Sequence, residues 1–324
     1  MTHAIRIHQT GGPGVLKWEA VEVGAPGAGE IRIRHTAVGL NYIDTYHRSG
    51  AYPIQTPATP GLEGAGVIEA VGAGVLDLKA GDRVAYASPP MGAYAEVRLM
   101  PAVRVVKVPG GIGDTQAASI MLKGMTAEYL LRRTFPVKAG DTILVHAAAG
   151  GVGLLLCQWA RHLGATVIGT VGDTGKAKLA TANGCQHTIL YRSEDFVARV
   201  AEITGGKKCA VVYDGVGKDT FMKSLDCLKP LGMMVLYGAA SGSPPPLDLG
   251  ILAPKGSLFV TRPSIMTYTA QRDDMVKSAQ ALFDVVLKGV VKVSVNQTYA
   301  LKDAAQAHSD LEARKTTGST VFTV

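Results

Sequence analysis

At 324 residues, with 47% hydrophobic residues, 18% charged residues and 39 glycines, the chain is too apolar for a disordered protein and too long for a single compact core. Its longest apolar runs, residues 151–160 and 233–240, fall far short of the roughly 20 needed for a helix to cross a bilayer, so a helical membrane protein is excluded. The formal net charge of +7 comes from dispersed lysines and arginines with no basic run longer than two, which favours a small anionic ligand over a nucleic-acid groove.

The opening MTHAIRIHQT alternates like a strand and carries no basic segment followed by an apolar one, so a cytoplasmic location is expected. Short β signals follow at residues 4–8, 29–38, 64–71, 82–86, 93–99 and 104–108, punctuated by Gly and Pro in the manner of an irregular, barrel-like β domain. Near Thr115 the texture changes: in QAASIMLKGMTAEYLLRR apolar residues recur three and four apart, which predicts a helix. Apolar runs such as TILVHAA, TVIGTV, HTILY, CAVVYDGV, GMMVLYGA and SLFVT then alternate with helical stretches, the pattern of βαβ units around a buried, doubly wound parallel sheet. A helix over 269–288, a strand over 291–300, a helix from Leu301 and a closing strand STVFTV look again like β-domain material. The expected division is therefore a discontinuous β-rich domain, 1–123 with 266–324, and a doubly wound domain, 124–265, an α/β protein overall. The cysteines Cys157, Cys185, Cys209 and Cys227 lack metal or disulfide spacing and read as buried free thiols.

The strongest local motif is Ala147-Ala148-Ala149-Gly150-Gly151-Val152-Gly153, directly after an apolar strand and directly before a helix. A glycine-rich turn there lets the backbone approach a pyrophosphate and aims a helix N-terminus at its charge. In NAD sites the next strand ends in an acid that takes the ribose 2′-OH. Here it runs into Gly172-Asp173-Thr174-Gly175-Lys176, so Lys176 and the Gly172 turn are expected to meet a 2′-phosphate, which favours NADPH. Asp173 would weaken that preference unless it caps the next helix, and Tyr191, at the tip of the following strand, is a second candidate phosphate contact. Asp214-Gly215-Val216-Gly217, Tyr237-Gly238 and Arg262-Pro263-Ser264 fall just past parallel strands, at the carboxyl edge where such sheets bind ligands; tight turns explain these glycines almost as well.

The run HAAAGGVGLLLCQWARHLGATVIGTVG, the segment NYIDTYHRSGAYP, residues 60–86 and KGMTAEYLL from Lys123 together resemble the zinc-free quinone oxidoreductases, the zeta-crystallin-like branch of the medium-chain dehydrogenase/reductase superfamily. The resemblance implies a GroES-like barrel domain, a Rossmann cofactor domain, an active-site cleft between them and a homodimer. It implies that Asn41 holds the nicotinamide end, that Asp44 orients its neighbours, and that Tyr46 and Tyr52 stack on or hydrogen-bond to a quinone ring. Lys123 and Thr126 would contact the nicotinamide and Arg314 would reach the cofactor. Lys123 also interrupts an apolar stretch, so it needs a partner or a ligand.

Zinc alcohol dehydrogenases of the same superfamily carry a Cys near position 41 and a Gly-His-Glu around 61–63; here Asn41 and Leu62 stand at those places and the eight histidines are scattered. Without a Lewis acid to stabilise an alkoxide, reduction of an already activated acceptor is the expected chemistry. A quinone leads. An enone or 2-enoyl-thioester reductase is the alternative enzyme. An RNA-binding or crystallin-like role is the non-enzymatic one, against which stands the absence of a basic stripe with interleaved aromatics.

Overall fold

The computed structural model describes residues 1–324, which form two compact units. The first comprises Met1–Met125, Thr269–Leu287 and Val293–Val324, and the second comprises Thr126–Tyr268 and Lys288–Lys292. Strand β1 (Thr2–Arg6) is followed by β2 (Lys17–Val21), β3 (Glu30–Leu40), helix α1 (Tyr42–Ser49), β4 (Glu63–Val71), β5 (Arg83–Ala87), β6 (Val97–Pro101), β7 (Val106–Lys107) and α2 (Asp114–Tyr129). The second unit runs through β8 (Thr142–Val145), α3 (Gly151–His162), β9 (Thr166–Val171), α4 (Thr174–Ala182), β10 (His187–Leu190), α5 (Phe196–Ile203), β11 (Cys209–Asp214), α6 (Phe221–Ser224), β12 (Leu228–Leu236), β13 (Phe259–Thr261) and α7 (Ile265–Tyr268). Helix α8 (Arg272–Leu287), β14 (Val295–Ala300), α9 (Ala304–Glu312) and β15 (Ser319–Thr323) complete the chain.

In the first unit the main sheet runs β14-β15-β3-β4-β5-β7, with β6 also paired to β3. The alternation IRIRH puts Ile31 and Ile33 inward at no exposure, and the C-terminal strand returns to pair antiparallel with β3, setting Phe322 opposite Val38. These side chains join Ile5, Ile68, Tyr86, Tyr94 and Leu301 in one core. The second unit is a parallel sheet in the order β10-β9-β8-β11-β12-β13. Counted from β8, this is the 3-2-1-4-5-6 order of a dinucleotide-binding sheet, whose switch point lies between β8 and β11. Its central strands β8, β9 and β11 are buried on both faces, as parallel strands covered by helices require, while β10 and β13 at the edges are partly exposed.

Some elements differ from the sequence reading. A strand over 93–99 gives way to β6 starting at Val97, because the backbone of Tyr94 is taken by the Pro60 carbonyl and only a bridge joins Ala95 to Ala4. A strand over 104–108 shrinks to Val106–Lys107 after a 3-10 turn at Ala102–Arg104. Strand β2, with only partial burial, offered no clear alternation and was not expected. Lys288–Lys292, read as first-domain material, packs with the second unit, where Gln158 bonds Lys292 through both its amide nitrogen and its amide oxygen.

Candidate functional site

In the second unit β8 leads through Ala149, buried, to Gly150, which N-caps α3 in extended conformation and has no side chain with which to satisfy the first helical N–H groups. Those of Gly151, Val152 and Gly153 therefore remain at the positive end of the helix, suited to an anion. A side chain on Gly153 would meet the Ala147 carbonyl oxygen at 2.4 Å and the Ala148 backbone at 2.8 Å, so only glycine allows α3 to sit this close to the turn.

The neighbouring strand β9 ends at Val171 and passes into the Gly172 turn. Asp173 N-caps α4 by accepting the Lys176 N–H at 2.8 Å, which commits its carboxylate to the helix terminus. A methyl group built on Gly172 would lie 3.1 Å from the Tyr191 hydroxyl and 3.5 Å from Arg192 Nε, so both side chains overhang this turn. Tyr191 and Arg192 thus overhang a backbone bare enough to approach a phosphate, with Lys176 in the first turn of the helix that follows it, and a pyrophosphate-bearing, 2′-phosphorylated cofactor fits the donors present. The sequence reading missed Arg192; its signal was a cation directly following a strand tip.

The carboxyl edge on the far side of the switch point is largely self-satisfied. Asp214, fully buried, accepts the N–H groups of Val216 at 2.7 Å and Gly217 at 3.1 Å and the Thr220 hydroxyl at 2.7 Å. The Val216 carbonyl accepts both the Ser241 N–H and the Ser241 hydroxyl. Val216 therefore offers a ligand its side chain more than its backbone. Gly238 packs against the backbone of Gly215, beneath the Tyr237 ring, and Arg262, next to Pro263, donates to the Leu236 carbonyl at 3.3 Å. Thr126 hydrogen-bonds Tyr129, whose ring stacks on Tyr268 with centroids 4.4 Å apart; Arg133 lies over the other ring at 4.9 Å from the Tyr268 centroid. This aromatic group next to Thr126, where the helix runs into the single π turn Leu130–Thr134, carried no sequence signal.

In the first unit the buried centre is Glu63, which is fully out of solvent at the start of β4. Its carboxylate accepts Asn41 Nδ2 at 2.7 Å, the Leu122 N–H at 2.7 Å and Lys123 Nζ at 3.0 Å. The partner required by Lys123 is therefore this carboxylate, and Asn41 is fixed by the same group. Asp44, also fully buried, accepts the Asn41 N–H and the Tyr94 hydroxyl, each at 2.9 Å. Burial, chiefly, pushes its carboxyl up to about 7. Having no exposure, Asp44 holds its neighbours in place and does not itself face solvent.

Above it, α1 and the segment after it present a row of rings: Tyr42 to Tyr46 at 5.6 Å, Tyr46 to Tyr52 at 5.1 Å, and His47 edge-on to Tyr52 at 5.7 Å. The Tyr52 N–H donates to the Tyr46 carbonyl at 3.0 Å, which anchors the exposed Tyr52 to the helix. Arg314 sits just past α9 in left-handed conformation (φ 59°), and its charge acts on Tyr42 together with those of Glu312 and Arg48. No group of three or more His, Cys, Asp or Glu side chains is arranged to hold a metal ion.

The chain matches two family models: an alcohol dehydrogenase GroES-like domain over residues 27–110 and a zinc-binding dehydrogenase over residues 151–285. It is 50% identical to the quinone oxidoreductase of Pseudomonas aeruginosa over 323 residues, covering 99% of both chains. The chain belongs to the quinone oxidoreductase family. Within the medium-chain dehydrogenase/reductase superfamily this is the zinc-free branch, in keeping with Asn41 and Leu62 at positions where zinc enzymes place ligands. The solved Escherichia coli quinone oxidoreductase complexed with NADPH superposes with a TM-score of 0.98 at 47% identity, covering 99% of this chain and 100% of that one. A 2-haloacrylate reductase from Burkholderia is likewise 50% identical over 332 residues, covering 99% of both.

Proposed function

We propose that this protein is an NADPH-dependent quinone reductase, acting as a cytoplasmic homodimer. The observation that carries the activity is its identity, one residue in two across the whole of both chains, to a quinone oxidoreductase. Bound NADPH supplies the hydride, from C4 of its dihydronicotinamide. In this reading the backbone at residues 150–153 holds the pyrophosphate, Lys176, Tyr191 and Arg192 take the 2′-phosphate, and the edge at Val216, Tyr237, Gly238, Arg262 and Pro263 borders the rest of the cofactor. Asn41 and Thr126 steady the nicotinamide end, Lys123 acts through its bond to Glu63, and Arg314 supplies a cation toward the cofactor. Tyr46 and Tyr52 offer a flat, hydroxyl-bearing surface to the acceptor.

A quinone is electron-poor, so placement does most of what the protein must do, and a proton reaching the reduced oxygen completes the reaction. Tyr46 is then expected to stack. Tyr46→Phe should cost little, while Tyr46→Ala raises the quinone KM with kcat less affected. A loss in kcat of about 10²-fold in Tyr46→Phe alone would instead make its hydroxyl the proton donor.

The Burkholderia relative favours a second reading, hydride addition to an electron-poor alkene. Initial rates with NADPH against 1,4-benzoquinone, an enone, crotonyl thioester and 2-chloroacrylate separate the two. We expect kcat/KM for benzoquinone to exceed the others by at least about tenfold, some 1.4 kcal/mol in transition-state binding. Turnover of the haloacrylate with no turnover of quinone would transfer the assignment to the alkene.

A further inference from the structure

We infer that Tyr94, His308 and Arg48 are positioning residues for the acceptor segment, joined in a one-way chain of hydrogen bonds that runs from Arg48, itself anchored on Glu312, to Asp44 and locks the start of α1. This inference rests on the reading that α1 and Tyr52 meet the acceptor.

The direction of the chain follows from what each group can do. Arg48 Nη1 lies 3.2 Å from His308 Nδ1, and a guanidinium donates and never accepts, so His308 Nδ1 must be the bare, accepting nitrogen. The proton of the neutral ring is then on Nε2, which lies 3.0 Å from the Tyr94 oxygen and donates to it. The Tyr94 hydroxyl in turn donates to Asp44 Oδ2 at 2.9 Å. Burial, followed by the nearby Arg48 charge, drives the His308 imidazole down to about 3, which agrees with a neutral ring locked in this tautomer. At the outer end Arg48 makes a two-pronged pair with Glu312, at 2.7 and 3.0 Å, and its Nε donates to the Gly11 carbonyl at 3.0 Å.

The chain cannot carry a proton from end to end, because Arg48 does not deprotonate. Its use is mechanical and electrostatic. It ties α9 to α1, delivers a donor to a fully buried carboxylate, and so keeps Asp44 able to hold the Asn41 N–H. The other charged groups acting on Asp44 are Lys123, which favours ionisation, and Glu63, which opposes it. Asp44 Oδ1 is buried with no partner, so a proton taken up by Asp44 settles there and weakens the charge that Oδ2 presents to both donors.

Tyr94→Phe removes one hydroxyl at nearly constant volume and is the sharpest test. With folding checked by thermal melting, we expect the KM for benzoquinone to rise about fivefold, kcat to change less than about twofold, and the NADPH Kd, read by fluorescence, to rise less than the KM, since the Asn41 side chain keeps its bond to Glu63. Asp44 would also lose a donor, so the acid limb of kcat/KM should move up by about one pH unit. A folded variant with unchanged KM and an unchanged limb would overturn the proposal, as would an equal loss of NADPH affinity. Should Tyr94→Phe fail to fold, Glu312→Gln weakens the same chain from its exposed end. A KM rise of about twofold is expected there, and no rise overturns the idea. Tyr46→Ala assayed in parallel separates this from the acceptor reading. If Tyr46→Ala behaves as wild type while Tyr94→Phe raises the benzoquinone KM, Tyr46 loses its stacking role and α1 with Tyr52 remains the acceptor segment that the chain positions; if Tyr46→Ala alone raises KM, the chain falls and the acceptor reading stands.

Discussion

The Lys176→Ala/Arg192→Ala double variant is expected to raise the NADPH KM by up to about 100-fold while leaving NADH turnover nearly unchanged. A charge-assisted contact to phosphate contributes about 1.5–3 kcal/mol. Both cations border a turn open to water, so screening puts each near the lower end, about tenfold apiece. Two independent losses of about tenfold would multiply to about 100-fold, an upper value because both cations would share the one phosphate. Asp173 does not work against them, because its carboxylate is committed to the N-terminus of α4. The discriminating measurement is the ratio of kcat/KM for NADPH and NADH at fixed, low ionic strength. Equal losses for the two cofactors would mean that these cations serve the fold or the pyrophosphate, and the 2′-phosphate assignment would be withdrawn.

Glu63→Ala is expected to be the most destabilising single change in the first unit. It strips three donors, Asn41 Nδ2, the Leu122 N–H and the Lys123 ammonium, of their common acceptor in a place without solvent. Removing one partner of a buried ion pair costs about 3–5 kcal/mol, because the remaining charge stays desolvated and unpaired. At about 2–4 °C per kcal/mol for a unit of this size, the melting transition should fall by roughly 10 °C. Glu63→Gln/Lys123→Met should recover most of the loss, since it removes the stranded charge and keeps an acceptor for Asn41. A drop of under about 1 kcal/mol in Glu63→Ala would show that water enters the site, and Lys123 would then be an accessible cation.

The cofactor unit was the more legible half. Its central strands are buried on both faces and therefore read as unbroken apolar runs, and its connections are short helices with their own periodicity, so each βαβ unit declares itself locally. The turn at residues 147–153 was readable for the same reason: strand, glycines and helix are contiguous. The β unit was harder. Irregular strands such as β6 and β7 are bounded by single turns, and their ends depend on partners elsewhere, as with Tyr94, whose N–H is taken by Pro60.

By itself the sequence determined the fold class, the place of the glycine-rich turn between β8 and α3, the absence of an acid at the end of β9, and the aromatic character of the segment after Asn41, because each of these is a property of neighbouring residues. Only the tertiary structure decided which polar groups are partners. It paired Lys123 with Glu63, placed Arg192 beside Tyr191 over Gly172, and set Asp44, Tyr94, His308 and Arg48 in one line. Periodicity reports that a position is buried, whereas the identity of the group facing it depends on register and packing across distant segments. Glu63 shows the dependence: the β3–β4 register sets it opposite Gly39, where a side chain would come within 2.2 Å of its Oε2, so the missing Cβ at position 39 is what gives the carboxylate room to reach Asn41 and Lys123.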